Sequence, residues 1–138
     1  MASSFLGVNL VTPRGVVAHA ADTDSVQAPG ELGEFELLPG HVPMLTSLRP
    51  GVLTIGAKSR VRYAVSSGYL RIDPAGAVEI LVEQAVPAKE INAEEAKNDL
   101  KTAEAELAKW GDKAQDGEYQ NLVQRASWAR ARIDAVAH

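Results

Sequence analysis

The chain has 138 residues, 46% of them hydrophobic, a net charge of -4, three histidines and no cysteine. A chain of this size and composition can bury a real core in one domain or two small ones. The same figures exclude disulfide staples, thiolate metal sites and cysteine nucleophiles, and a pI near 5.3 offers no basic footprint for nucleic acid.

The opening Met1-Ala2-Ser3-Ser4 leads into no apolar run of signal-peptide length, and no stretch approaches about 18 consecutive apolar residues. The expectation is a soluble protein on the cytoplasmic side whose membrane association comes only through a partner. From Phe5 to about Val86 the chain is a series of short apolar and β-branched runs broken by Pro, Gly and Asp. Gly7 to Val11, Ser25 to Ala28 and Gly51 to Ile55 are such runs. Val61 to Val65 alternates apolar with polar or small residues, Tyr69 to Ile72 follows, and Val78, Ile80 and Val82 repeat the period of two. Turn signals separate them at Thr12-Pro13-Arg14-Gly15, Arg49-Pro50-Gly51 and Asp73-Pro74-Ala75-Gly76. Many short strands without an intervening helix predict an antiparallel β-sandwich or flattened barrel over residues 1–88.

After Val86-Pro87-Ala88 the composition turns to Ala, Glu and Lys, which marks a domain boundary. Asn92 with Glu95 three places on is a capping-box arrangement, so a helix starts there. Ala96, Leu100, Ala103, Leu107 and Trp110 form one apolar stripe. Gly111 to Gly117 interrupts it, and Tyr119, Leu122, Ala126, Ala129, Ile133 and Val136 begin another. Residues 89–138 are therefore predicted to be a two-helix antiparallel hairpin. Its seams are rich in alanine, which buries little apolar area per turn, so a weak internal hold is expected.

Chemistry-bearing motifs are sparse. His19, His41 and His138 stand far apart without carboxylates at ligand spacing, so no metal or other cofactor is expected. Gly30 and Gly33 are followed by Glu34, Phe35 and Glu36, where a phosphate would meet negative charge instead of a lysine. Ser66 and Ser67 precede Gly68 without a nucleophile-elbow pattern and read as a strand-to-strand turn. The pairs Asp22 with Asp24 and Glu34 with Glu36 read as solvated surface. Two other functions are compatible with such a chain: a free-standing ligand-sensing sandwich with a mobile hairpin, and a small hydrolase using Ser66 or Ser67 with a histidine.

The stretch Pro29 to Thr46, with Pro39-Gly40-His41-Val42-Pro43-Met44-Leu45-Thr46 at its heart and Leu48-Arg49-Pro50-Gly51 closing it, resembles the signature of the epsilon-subunit family of F-type ATP synthases. The resemblance continues through Val65-Ser66-Ser67-Gly68-Tyr69-Leu70, Val78 to Ala85 and the helical hairpin. It implies a ten-stranded β-sandwich followed by two antiparallel helices, with no catalysis by the chain itself. It further implies a seat on the gamma subunit in the central stalk at the bacterial inner membrane, with the sandwich base against the c subunits of the proton-driven rotor ring. Glu34 and His41 fall on positions the family places near that ring, with Arg49 and Pro50 at the following turn.

Arg125, Arg130 and Arg132 make the C-terminal part of the second helix locally basic against a single acid, Asp134. In the family such a helix can extend along the stalk to acidic segments of the catalytic alpha and beta subunits and restrain ATP hydrolysis. Some members also bind ATP through an Ile/Leu-Asp-x-x-Arg-Ala motif opening the first helix. Here that stretch is Ile91-Asn92-Ala93-Glu94-Glu95-Ala96, with Asn92 in place of the acid and Glu95 in place of the arginine. An anion where a cationic phosphate partner should stand implies no ATP binding at physiological concentrations.

Overall fold

A computed structural model describes residues 5–137; His138 lies outside the described residues. Ten strands occupy the first part: β1 (Leu6–Thr12), β2 (Gly15–Thr23), β3 (Val26–Gly30), β4 (Gly33–Leu37), β5 (Met44–Leu48), β6 (Gly51–Ile55), β7 (Val61–Val65), β8 (Gly68–Ile72), β9 (Val78–Val82) and β10 (Ala85–Pro87). The hydrogen-bonded order is β10-β7-β6-β3-β5-β8-β9-β1-β2, and β4 pairs with the other edge of β3. Strand β3 is the corner: Val26 and Gln27 pair with β6, whereas Gly30 pairs with Leu48 of β5. The strip bends there and folds β5-β8-β9-β1-β2 over β10-β7-β6-β3-β4. Among the described residues only the β1–β9 pairing is parallel.

The period of two does the rest. Leu6, Val8 and Leu10 of β1, Leu53 and Ile55 of β6, Tyr63 and Val65 of β7, Leu70 and Ile72 of β8, and Val78, Ile80 and Val82 of β9 all point between the layers and form one buried cluster. Gly68 shows how tightly the ladders approach, since a Cβ there would lie 2.0 Å from the Leu81 carbonyl oxygen.

Four strands depart from the expected pattern or go beyond it. β2 is the longest strand, yet Gly-Val-Val-Ala-His-Ala-Ala carries no clean alternation, because register shifts against β1 break it. β4 alternates Gly33, Phe35 and Leu37 inward with Glu34 and Glu36 outward, so Glu34 stands on a strand and not on a loop. β5 is held by β8 along its length and by β3 at Leu48, and β10 is a three-residue piece fixed by its partner β7.

The boundary near residue 88 is a strand followed by a single 3-10 turn over Ala88–Glu90, which packs on β7 and the hairpin. Burial, with Glu90 adding to it, pushes the Tyr63 hydroxyl above its ordinary pKa of 10.0. Helix α1 (Ala93–Ala108) starts where expected, with Asn92 Oδ1 accepting the Glu95 N–H at 3.1 Å. Helix α2 (Gly117–Ala137) is capped by Asp116, whose Oδ1 accepts the N–H groups of Glu118 and Tyr119. Trp110 lies beyond α1, in the connecting turn, where its Nε1 donates to the Ala114 carbonyl and its ring packs on Tyr119 at 5.6 Å. It closes the turn instead of extending the α1 stripe.

Helix α2 lies on the outer face of β6 and β7, and α1 packs on α2. The seat on the sheet is Ala64, Ala131 and Ala135, edged by Val52, Ala88, Ile91 and Trp128.

Candidate docking surfaces

The two ends of the sandwich can be read from the registers. Gly30, Leu48, Gly68 and Val82 sit in one row, so the turns at Glu31-Leu32, Arg49-Pro50, Ser66-Ser67 and Glu83-Gln84 share one end. There Arg49 N donates to the Pro29 carbonyl, Glu31 N to Ser47, and Ser66 N to Gln84, while Ser66 Oγ accepts the Gln84 N–H at 2.8 Å. Ser66 thus ties two turns together. Val26, Leu37, Ile55, Met44 and Ile72 mark the opposite end.

This geometry divides the residues singled out in the signature. Glu34, Arg49 and Pro50 border one cleft at the end bearing the Glu31-Leu32 turn. His41 belongs to the loop between β4 and β5 at the other end, where its Nδ1 lies 2.9 Å from the Val42 carbonyl. Sequence reasoning passed over Leu32, a large apolar side chain fully exposed at the tip of the β3–β4 hairpin. Its signal was present in Gly30-Glu31-Leu32-Gly33, two glycines bracketing a two-residue hairpin loop, with Gly33 at φ 137°.

The outer face of β5-β8-β9-β1-β2 carries no helix. Along it, one register row runs Val16, Val11, Leu81, Tyr69 and Ser47. Val16, Leu81 and Tyr69 in this row are exposed, as is Leu45 beside it. The next row is polar and internally satisfied: His19 Nδ1 lies 2.6 Å from Asn9 Oδ1, and Arg71 pairs with Glu79 at 3.3 Å. An apolar stripe flanked by a satisfied polar row has the anatomy of a protein-binding face.

The three arginines of α2 do not share a face. Arg132, largely shielded against the Trp128 ring, pairs with Asp99 of α1 at 2.9 Å, and Arg130 pairs with Glu104 of α1 at 3.2 Å. Arg125 is exposed and makes neither kind of contact among the described residues. The locally basic helix is therefore partly neutralised by its hairpin partner.

Residues 5–88 match the family model for the beta-sandwich domain of the ATP synthase delta/epsilon chain. The chain is also 41% identical over 129 residues to the ATP synthase epsilon chain of Geobacter sulfurreducens, covering 93% of this chain and 89% of that one. This chain belongs to the ATP synthase epsilon-chain family. The epsilon chain of Magnetococcus marinus is 33% identical over 130 residues, covering 94% and 92%. In fold, the chain resembles one chain of the Euglena gracilis mitochondrial ATP synthase OSCP/F1/c-ring structure, with a TM-score of 0.81 at 20% identity over 99% of this chain and 83% of that one. A second likeness, TM-score 0.66 at 20% identity over 99% of both, is to the Tetrahymena thermophila mitochondrial ATP synthase central stalk/c-ring structure. Membership agrees with the ten-stranded sandwich and hairpin expected from the signature. Among the described residues no helix is long and apolar enough to cross a membrane. At the family's nucleotide motif, Asn92 and Glu95 are joined by the helix-capping hydrogen bond, and the Glu95 side chain faces solvent.

Proposed function

We propose that this chain is a non-catalytic rotor subunit of the central stalk of an F-type ATP synthase, held at the membrane through the complex and helping to couple proton flow to ATP synthesis. The apolar row on the face opposite the hairpin, with Val16, Leu81 and Tyr69 exposed and Val11 half-buried between Val16 and Leu81, carries this reading. A rotor element works through interfaces and stiffness, and this row is the seat we assign to the gamma subunit. The end bearing Glu31, Leu32, Glu34, Arg49 and Pro50 is the one we assign to the c subunits of the rotor ring. His41, at the opposite end, is left out of that contact.

The hairpin has the makings of a restraint on ATP hydrolysis. Its arginines pair with Asp99 and Glu104 when it is closed. Released, they would exchange those acids for acidic segments of the catalytic alpha and beta subunits. The exposed Arg130–Glu104 pair stabilises by only about 1 kcal/mol or less, so little opposes its exchange. Glu95 at the opening of α1 disfavours phosphate, so this control is assigned to the hairpin's packing and partner contacts and not to bound ATP.

Affinity capture of the full chain from its own cells tests the assignment. The gamma subunit and catalytic hexamer should co-purify, and Leu81→Asp combined with Tyr69→Asp should abolish capture while the circular dichroism spectrum is kept. Capture without gamma, or capture unaffected by the double variant, overturns the reading. Deleting residues 89–138 should raise ATP hydrolysis by the reassembled complex; no change removes the regulatory half.

A further inference from the structure

The two helices of the hairpin are tied to each other by more kinds of interaction than tie them to the sandwich. Across the helices run the Arg130–Glu104 pair at 3.2 Å and the Arg132–Asp99 pair at 2.9 Å. In the turn between them the Ala114 carbonyl accepts Trp110 Nε1 at 3.1 Å and the Asp116 N–H at 2.9 Å. The Trp110 ring packs on Tyr119, with centroids 5.6 Å apart, and Lys113 Nζ lies 5.5 Å from the centre of the same ring. Among the described residues no hydrogen bond, ion pair or ring contact joins either helix to a strand.

We propose that the hairpin lifts off the sheet as one body, and that Trp110 is the staple that keeps its helices together once it has left. This holds for the free chain and does not rest on the rotor assignment.

Helix α2 presents two separate buried faces. At roughly 100° per residue, Ala131 and Ala135 lie on one side of it and Leu122, Ala126 and Ala129 on the opposite side. All five are buried, but only the first two belong to the cluster with Ala64 of β7. The other side is the one α1 covers, where Ala96 and Ala103 of α1 are buried in turn.

The two interfaces therefore open at different cost. At the sheet, methyl groups are buried with partial help from Val52, Ile91 and Trp128. Between the helices, apolar burial is joined by the indole hydrogen bond, the aromatic contact, the ammonium over the ring and the two ion pairs. The joints differ in the same sense. The link to the sandwich is a single 3-10 turn over Ala88–Glu90 without a side-chain cap, followed by Ile91 in extended backbone at φ -86°, ψ 130°. A few such residues can absorb a swing of the whole hairpin, whereas the turn holding Trp110 is bound on both sides of Ala114. Release is thus ordered: the seat on the sheet opens first, and Arg130 and Arg132 part from Glu104 and Asp99 only after the staple breaks.

The chain has no cysteine, so single-cysteine variants of the full chain read each interface by their rate of modification with iodoacetamide. Ala131→Cys reports the seat and Ala129→Cys, two residues away on the other side of the same helix, reports the seam. Ala131→Cys should react about tenfold or more faster, since the rate follows the population of the open form. Adding Trp110→Ala should raise the Ala129→Cys rate about fivefold, the scale of one lost contact, and leave the Ala131→Cys rate within about twofold. Trp110→Phe, which keeps a ring against Tyr119 without the N–H donor, should fall between. Ala135→Cys and Ala126→Cys give the same comparison at a second pair of sites, and circular dichroism checks that every variant is folded. Equal rates at the two sites would mean that α2 exposes both faces at once, and a faster rate at 129 that the helices part while α2 stays on the sheet. Either result overturns the proposal, as does Trp110→Ala leaving the seam unchanged or loosening seat and seam alike.

Discussion

In the sandwich, Leu10, Leu53, Leu70 and Ile80 are wholly out of solvent and belong to one cluster spanning both layers, whereas the hairpin meets the sheet through Ala64, Ala131 and Ala135. A buried leucine side chain contributes about 2–3 kcal/mol of transfer free energy, an alanine methyl about 0.8. The same chain thus contains a body held by large interdigitating side chains and an appendage held by small ones with two ion pairs across its helices. The difference predicts that the second leaves its seat at a lower cost than the first opens.

The largest effect that would sharpen this contrast is in the core. Leu70→Ala should destabilise the sandwich by about 2–5 kcal/mol, read by denaturant unfolding, and a loss below about 1 kcal/mol would contradict the account of the core. Ala131→Leu forces extra volume into the hairpin seat, at a cost of about 1–3 kcal/mol. Hydrogen exchange should then speed up in α2 and stay unchanged in β8; acceleration in both would mean the two regions unfold as one. Asp116→Ala removes the cap of α2 and should cost about 1 kcal/mol, seen as fraying at Glu118 and Tyr119 by amide exchange.

Smaller effects concern charge. Asp99→Asn frees Arg132 from its pair and should loosen the hairpin by about 1 kcal/mol or less, measured by protease cleavage between residues 88 and 93. The slightest effect is expected at Asp24, whose carboxylate accepts the Ala57 N–H at 2.7 Å and is held below its ordinary pKa of 3.8 by that bond. A lowered folded pKa gives stabilisation that is present above pH 3.8 and lost as pH falls through the lower folded value. Asp24→Asn should flatten that acid limb of the unfolding curve and leave neutral stability of α1 and α2 untouched.

Local rules made much of this molecule legible from the chain. Alternation at Val61–Val65 and Val78–Val82, the Asn92 cap and the four-and-three spacing of Ala96, Leu100 and Ala103 are short-range signals, and each marks the element it predicts. The glycine and proline pattern from Pro29 to Gly51 was enough to point to the family. What the sequence could not determine depends on partners distant along the chain. β2 is a strand because β1 pairs with it, and β10 because β7 does. His41 is separated from Arg49 and Pro50 because β5 runs the length of the sandwich between them. Arg130 and Arg132 face the acids of α1 only once the hairpin closes. Hydrogen-bond periodicity is written in neighbouring residues, but which surfaces meet and which stay open is set by long-range packing.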